Sequence, residues 1–311
     1  MRAFIFPGQG SQAVGMGKAL ADASAAARDV FQEVDEALGQ HLSALMFEGP
    51  ADELMLTANA QPAIMANAIA TLRVLEREGG LKLADKADYV AGHSLGEYTA
   101  LCAAGALDLA TTALLLRHRG EAMQAAVPVG LGAMAALLGA DLSVAQKIAE
   151  AAAQGEVCTV ANDNDPSQVV ISGAKAAIDR AIEIAKDYGA KRAIALPVSA
   201  PFHCPMMQPA ADAMDKALAE ARIDTPLVPV FANVTAQPVS DVDTIRKLLV
   251  EQVTGMVRWR ESVLNMADTG VERFVEFGGK VLSPMVKRIV PDVDASSVIS
   301  MEDIELLAKS F

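Results

Sequence analysis

Tyr89-Val90-Ala91-Gly92-His93-Ser94-Leu95-Gly96-Glu97-Tyr98-Thr99-Ala100-Leu101 is the stretch that decides the class of this chain. Tyr89 to Gly92 reads as a short strand, and from Leu95 strong helix formers follow with no early proline, so a helix begins right after Ser94. Between them lies Gly92-His93-Ser94-Leu95-Gly96, a G-x-S-x-G in the strand, turn, helix setting that the motif requires. A nucleophile at the apex of so tight a turn leaves no room for side chains two residues away, which gives both glycines a steric purpose. The turn aims the serine oxygen outward from the helix N-terminus, where the N–H of Leu95 can donate to an oxyanion developing beside Ser94. With 22 glycines in the chain the motif alone also arises by chance, so its setting carries the weight.

Outward from this stretch, apolar runs of strand length alternate with longer segments of helical period, the pattern of an α/β protein with a parallel sheet covered by helices. Arg2 to Phe6 is a first strand, leading into the turn Pro7-Gly8-Gln9-Gly10-Ser11-Gln12. Between Val127 and Val198 the texture changes. Gly130–Leu138, Val157–Asn162, Gln168–Ser172 and Arg192–Pro197 read as strands, with helices over Ser143–Ala153 and Ala174–Tyr188. That βαββαβ order is the ferredoxin-like split unit, expected as a subdomain (127–198) inserted in a core formed by 1–126 and 199–311. After it, strands are expected near Val228–Asn233 and Arg273–Phe277, and helices around Met207–Ala221 and Val242–Gln252.

Composition excludes several function classes. The 311 residues carry 26 Lys plus Arg against 39 Asp plus Glu, a net charge of −13, and 52% are hydrophobic, which rules out disorder and gives ample core for about two domains. An acidic chain without a basic patch interleaved with aromatics repels phosphate backbones, so no nucleic-acid partner is expected. The apolar start meets Pro7 almost at once, so no signal peptide is expected. The apolar runs Thr99–Leu116 and Val127–Leu138 are interrupted by Asp108 or too short to cross a bilayer, so no membrane segment is expected. Three cysteines without C-x-x-C spacing suit a reducing compartment, and a cytoplasmic location follows as the expectation. Four histidines with neither H-E-x-x-H nor a Cys/His cluster point to no catalytic metal.

A serine nucleophile needs a base. Of His41, His93, His118 and His203, only His203 sits in a rigid loop, Ser199-Ala200-Pro201-Phe202-His203-Cys204-Pro205, pinned by two prolines. No Asp or Glu between Ser94 and His203 stands alone at a strand end as a third member, and a backbone carbonyl or amide side chain would serve equally well. Arg119, after Leu114-Leu115-Leu116, could reach inward and hold a carboxylate by two parallel hydrogen bonds, although a solvated cationic face is the plainer reading of that residue alone. Phosphate loops fail: Gly17-Lys18 lacks the preceding glycine and the following Ser or Thr, and Gly130-Leu131-Gly132 runs on as strand.

Taken together, Phe6-Pro7-Gly8-Gln9-Gly10-Ser11-Gln12, Gly92-His93-Ser94-Leu95-Gly96-Glu97, Arg119-Gly120 with Met123-Gln124, and Pro201-Phe202-His203-Cys204 strongly resemble the malonyl-CoA:acyl-carrier-protein transacylases of fatty-acid synthesis. Val160-Ala161-Asn162-Asp163-Asn164, Val169-Val170-Ile171-Ser172-Gly173 and Glu251-Gln252-Val253 look like the same pattern, so the likeness spans nearly the whole chain. The resemblance implies an α/β-hydrolase-like core with a ferredoxin-like insert, Ser94 as nucleophile, His203 as its base, and the N–H groups of Gln9 and Leu95 as oxyanion hole. It also reverses the reading of Arg119, which would pair with the free carboxylate of a malonyl group. Gln252 would lie near the histidine, whose orienting partner is a backbone carbonyl in that family. His93 and Asn162 would line the substrate site, and Phe202 before the histidine looks like the malonyl-selective version.

The implied substrates are malonyl-CoA and acyl carrier protein, with no cofactor and a monomer sufficing. Rival readings are a serine esterase or thioesterase, a catalytically dead carrier-binding scaffold, and a free-standing acyltransferase serving a polyketide synthase. Because carrier proteins are typically acidic like this chain, docking would need a local basic patch: Lys175, Arg180, Lys186, Lys191 and Arg192, or Lys280, Lys287 and Arg288.

Overall fold

A computed structural model describes residues 1–198 and 200–311. Ten strands run in chain order: β1 (Arg2–Phe6), β2 (Tyr89–Gly92), β3 (Gly132–Leu138), β4 (Cys158–Asp165), β5 (Gln168–Ala174), β6 (Arg192–Ala195), β7 (Val230–Phe231), β8 (Pro238–Val239), β9 (Arg273–Phe277) and β10 (Asp294–Val298). They form two sheets, one of six strands in the order β10-β9-β1-β2-β7-β8 and one of four in the order β4-β5-β3-β6.

In the larger sheet β10, β9, β1, β2 and β7 are mutually parallel and β8 closes the edge antiparallel to β7. The reason β1 is central lies in its sequence: Ala3, Phe4, Ile5 and Phe6 are all buried, as a strand covered on both faces must be. The pleat divides them. Phe4 and Phe6 pack with Phe277 and with Ile64, Ala68 and Leu72 of the Thr57–Glu78 helix, whereas Ala3 and Ile5 pack with Trp259, Val263 and Val286 on the opposite face. The expected α/β class with a parallel sheet is therefore observed.

The smaller sheet is antiparallel throughout, with the Leu142–Ala153 and Lys175–Ile184 helices against one face and an apolar cluster of its own built from Leu137, Ile148, Val169, Ile171 and Ile178. Its four strands and two helices follow the βαββαβ order read from periodicity, and Ser199, where the second core segment was set to begin, lies outside the described residues. The smaller sheet is tied to the rest of the molecule along β4, where it meets the link between the Val242–Thr254 and Trp259–Asp268 helices. Val257 N–H donates to the Ala161 carbonyl at 2.8 Å and Asp163 N–H to the Val257 carbonyl at 3.0 Å, a short parallel pairing flanked by bulges in β4. Buried Asp163 and Asp165 accept from Arg260 and Arg288 across this seam.

Some expectations shift at their ends. The strand expected over Val228–Asn233 is only Val230–Phe231, and the helix expected over Ala174–Tyr188 stops at Ile184. Neither β8 nor β10 was foreseen, because Asp294-Ala-Ser-Ser-Val298 is half polar and Pro238-Val239 is a two-residue edge. Among the described residues no helix is long and apolar enough to cross a membrane, and no group of His, Cys, Asp and Glu could hold a metal ion.

Candidate active site

The elbow forms where the sequence placed it, after β2 and before the Leu95–Ala103 helix. Ser94 has φ 54° and ψ −112°, a left-handed conformation that costs a non-glycine residue on the order of 1–3 kcal/mol unless its surroundings enforce it. Sterics explain the glycines: a Cβ on Gly92 would lie 1.8 Å from the Gly96 carbonyl oxygen, and one on Gly96 would lie 2.3 Å from that of Phe6. Leu95, as the first helical residue, has an N–H without an intrahelical acceptor beside the serine oxygen.

Ser94 Oγ lies 2.8 Å from His203 Nε2, and His203 Nδ1 lies 2.8 Å from the backbone carbonyl of Gln252. That carbonyl accepts the Nδ1 proton and leaves Nε2 as the acceptor facing the serine. No carboxylate is needed as third member. His203 is buried at 3% exposure, and burial, followed by the positive field of Arg119, pushes its pKa down to about 3, so the ring is neutral and able to take a proton. His41 and His118 are exposed, away from the site.

Arg119 corrects the reading of that residue as part of a solvated face. It is 1% exposed, on the Leu109–Ala125 helix, and its guanidinium donates to Gln61 Oε1 at 2.8 Å, to Gln252 Oε1 at 2.8 Å and to Ser94 Oγ at 3.1 Å. Gln61 is itself held by Thr57 Oγ1 at 3.0 Å. A guanidinium has five N–H donors, so three bonds leave two, and the Nε–H is among those without a partner. Gly120 lets this helix approach closely, since a Cβ there would meet the Ala58 backbone at 2.6 Å.

A cavity of about 430 Å³ opens over these groups, at the C-terminal ends of β1 and β2 and facing the smaller sheet. Ser94, Leu95, His203, Arg119, Gln9, His93, Asn162 and Phe202 all line it, as do Met134 and Leu196 to Val198 of the smaller unit. A neighbouring space of about 340 Å³ shares Gln9, Met55, Pro197, Val198 and Phe202 and forms its outer continuation. His93 Nε2 meets Asn164 Oδ1 at 2.8 Å across the seam. Gln252 stands behind the wall rather than on it, with its side chain and carbonyl both engaged. A separate hollow of about 540 Å³ between the Ala25–Leu38 and Leu42–Glu48 helices contains none of these groups.

Asn233, Gln61 and the use made of Glu97 escaped the sequence reading. Asn233 Oδ1 accepts from the Ser94 N–H at 2.8 Å while its Nδ2 donates to the Gly92 carbonyl at 2.7 Å, so one side chain clamps both arms of the elbow from 139 residues away. Gln252 Nε2 adds a bond to the Ser94 carbonyl at 3.0 Å. Nothing local marks Asn233, whereas Thr57 and Gln61 lie four apart on one face at the start of their helix, just before the apolar run Pro62–Ala66, a polar pair that could have been noticed.

Residues 3–285 match the acyl transferase domain family. The malonyl CoA-acyl carrier protein transacylase of Escherichia coli is 46% identical over 297 residues, 95% of each chain. Among solved structures, an acyl-carrier-protein S-malonyltransferase from Bartonella henselae is 52% identical with a TM-score of 0.97, covering 99% of this chain and 98% of that one. A malonyl-transacylase solved in complex with a type II polyketide acyl-carrier protein is 39% identical with a TM-score of 0.96, over 100% and 99% of the two chains. With this likeness over its full length, the chain belongs to the acyl transferase family and, within it, to the malonyl CoA-acyl carrier protein transacylases.

Proposed function

We propose that the protein moves the malonyl group from malonyl-CoA to the phosphopantetheine thiol of acyl carrier protein through a malonyl-serine intermediate. The observation that carries this reading is the Ser94–His203 contact set beneath a buried arginine whose Nε–H has no partner. Neutral His203 takes the Ser94 proton, the oxygen attacks the thioester carbonyl, and the N–H groups of Gln9 and Leu95 receive the developing oxyanion, each worth roughly 10²–10³ in rate. CoA leaves with the proton held on His203. The carrier thiol, deprotonated by the same ring, then attacks the serine ester, the bond to Ser94 Oγ breaks, and the ring returns the proton to that oxygen as the malonyl carrier departs, so the kinetics are ping-pong. Arg119 holds the malonyl carboxylate, which favours a dicarboxylic acyl group over acetyl and fixes the ester for the thiol rather than water. A bound carboxylate also cancels the Arg119 field on His203, raising the basicity of the ring when it is needed. His93, Asn162 and Phe202 shape the acyl site, and Gln252 orients His203.

The architecture supports an α/β-hydrolase-like core over 1–126 and 199–311 with a ferredoxin-like insert over 127–198, the four-strand order β4-β5-β3-β6 favouring the latter. A monomer in the cytoplasm needs nothing further. For the carrier, Lys175 and Arg180 are engaged with Asp179 and Glu156, so of that group Lys186, Lys191 and Arg192 are the members without an ion pair or side-chain hydrogen bond among the described residues, and Lys280 is the one in the other group.

The test is intact-mass spectrometry of wild type and Ser94→Ala after brief mixing with malonyl-CoA, chased with phosphopantetheinylated carrier. A malonyl adduct absent from Ser94→Ala that passes to the carrier is expected. An adduct decaying to free malonate would make the protein a hydrolase, and none at all would favour a dead scaffold.

A further inference from the structure

Glu97 is 2% exposed directly behind the elbow, and no step of the transfer uses it. Its Oε2 accepts from Gln252 Nε2 at 2.8 Å and from the Asn233 N–H at 3.1 Å. Those two residues are the ones that clamp the elbow and face Arg119 and His203. An acceptor-only carboxylate settles which way the Gln252 amide points: Nε2 toward Glu97, hence Oε1 toward Arg119. Arg119 in turn is a buried cation bonded only to neutral oxygens, with Glu97 one amide away. A buried charge without a counter-charge is costly, and a carboxylate bonded directly to Arg119 would occupy the donors a substrate needs.

We propose that Glu97 is a positioning and specificity-setting residue: through Gln252 it supplies the counter-charge of Arg119 at one remove, keeping the guanidinium aligned yet open, and so sets how strongly the site prefers a carboxylate-bearing acyl group. This rests on the transacylase reading above. With Glu97 ionised, the negative field it adds opposes the incoming carboxylate. Neutralising it leaves Arg119 unopposed and sharpens the preference for malonyl over acetyl.

Two measurements test this on the intact enzyme. In Glu97→Gln the amide oxygen can still accept from both Gln252 Nε2 and the Asn233 N–H, so the hydrogen bonds stay and only the charge goes. The ratio of kcat/KM for malonyl-CoA to that for acetyl-CoA is expected to rise roughly three- to ten-fold. Wild type supplies the second readout. Burial pushes the Glu97 carboxyl up to about 7, against the pull of Arg119. Of the other titratable groups around it, burial lowers Arg119 but a guanidinium keeps its proton around neutrality, burial pushes the Tyr98 hydroxyl up and so keeps it neutral, and burial lowers His93 and His203. The malonyl-to-acetyl ratio therefore rises as pH falls from 8 to 6, because the demand for neutral His203 is common to both donors and cancels, and Glu97→Gln flattens that dependence. A ratio flat with pH in wild type, or both donors slowed equally in Glu97→Gln, overturns the proposal. Should the variant not fold, the wild-type profile alone decides. Absence of any malonyl adduct on wild-type Ser94 would instead remove the transacylase reading itself.

Discussion

Arg119 shows how far one side chain can depart from its sequence appearance. On the same helix Leu114 is 50% exposed while Arg119 is 1% exposed, an inversion that hydropathy cannot anticipate because the partners, Gln61 and Gln252, come from 58 residues before and 133 after. Ser94 and His203 were legible because a tight turn and a proline-pinned loop are local features. Arg119 became legible only through the family resemblance. On the function proposed above lysine is a poor substitute, because one ammonium cannot hold Gln61, Gln252 and an acyl carboxylate in fixed directions. Arg119→Lys is expected to lower kcat/KM for malonyl-CoA by about 10²-fold while leaving acetyl-CoA within a few-fold, measured by steady-state transfer with each donor. Equal losses for both donors would mean that the guanidinium serves the fold rather than the carboxylate.

At the scale of elements, the strand, turn, helix unit is strained, and the strain is held from outside. Asn233 bonds both Gly92 and Ser94, so Asn233→Ala leaves a buried carbonyl without its partner, at about 1–3 kcal/mol, and a half-buried N–H without its partner at less. Such a variant should melt several degrees lower and label with a fluorophosphonate serine probe at least ten-fold more slowly, whereas Asn233→Asp, which keeps the acceptor for the Ser94 N–H, should recover part of the labelling rate. Melting unchanged with labelling intact would show that the elbow holds itself. Gly92→Ala is expected to yield no folded protein, since the clash with the Gly96 carbonyl is backbone on backbone. The elements themselves were legible in proportion to their burial. β1, whose inner four residues are all buried, and the whole βαββαβ run follow from periodicity, but β10 is half polar because it is the sheet edge and β8 is too short to carry a pattern. The seam along β4 was not legible, because ion pairs such as Asp165–Arg288 join residues 123 apart.

For the whole molecule, the same buried groups tie stability to pH, and they pull in opposite directions. His93 and His203 have pKa values lowered below their ordinary 6.5 by burial, so as pH falls through 6.5 the unfolded chain takes up protons that the folded one refuses, and stability drops. Glu97, raised from 4.5 to about 7, does the reverse: between those values the folded chain holds the extra proton, which favours the fold as pH falls through 7. Near pH 5.5 the proton taken up by His203 of the unfolded chain is set against the one held by Glu97 of the folded chain, so these two nearly cancel, and the lowered His93 tips the balance toward loss of stability on acidification. Glu97→Gln removes the compensating carboxyl, and its acid limb should be steeper than that of wild type by about one proton, roughly 1.4 kcal/mol per pH unit, in urea unfolding followed from pH 5 to 7.5. Parallel limbs for wild type and Glu97→Gln would show that Glu97 carries no proton of its own in this range, and that the site's charge balance is set at Arg119 alone.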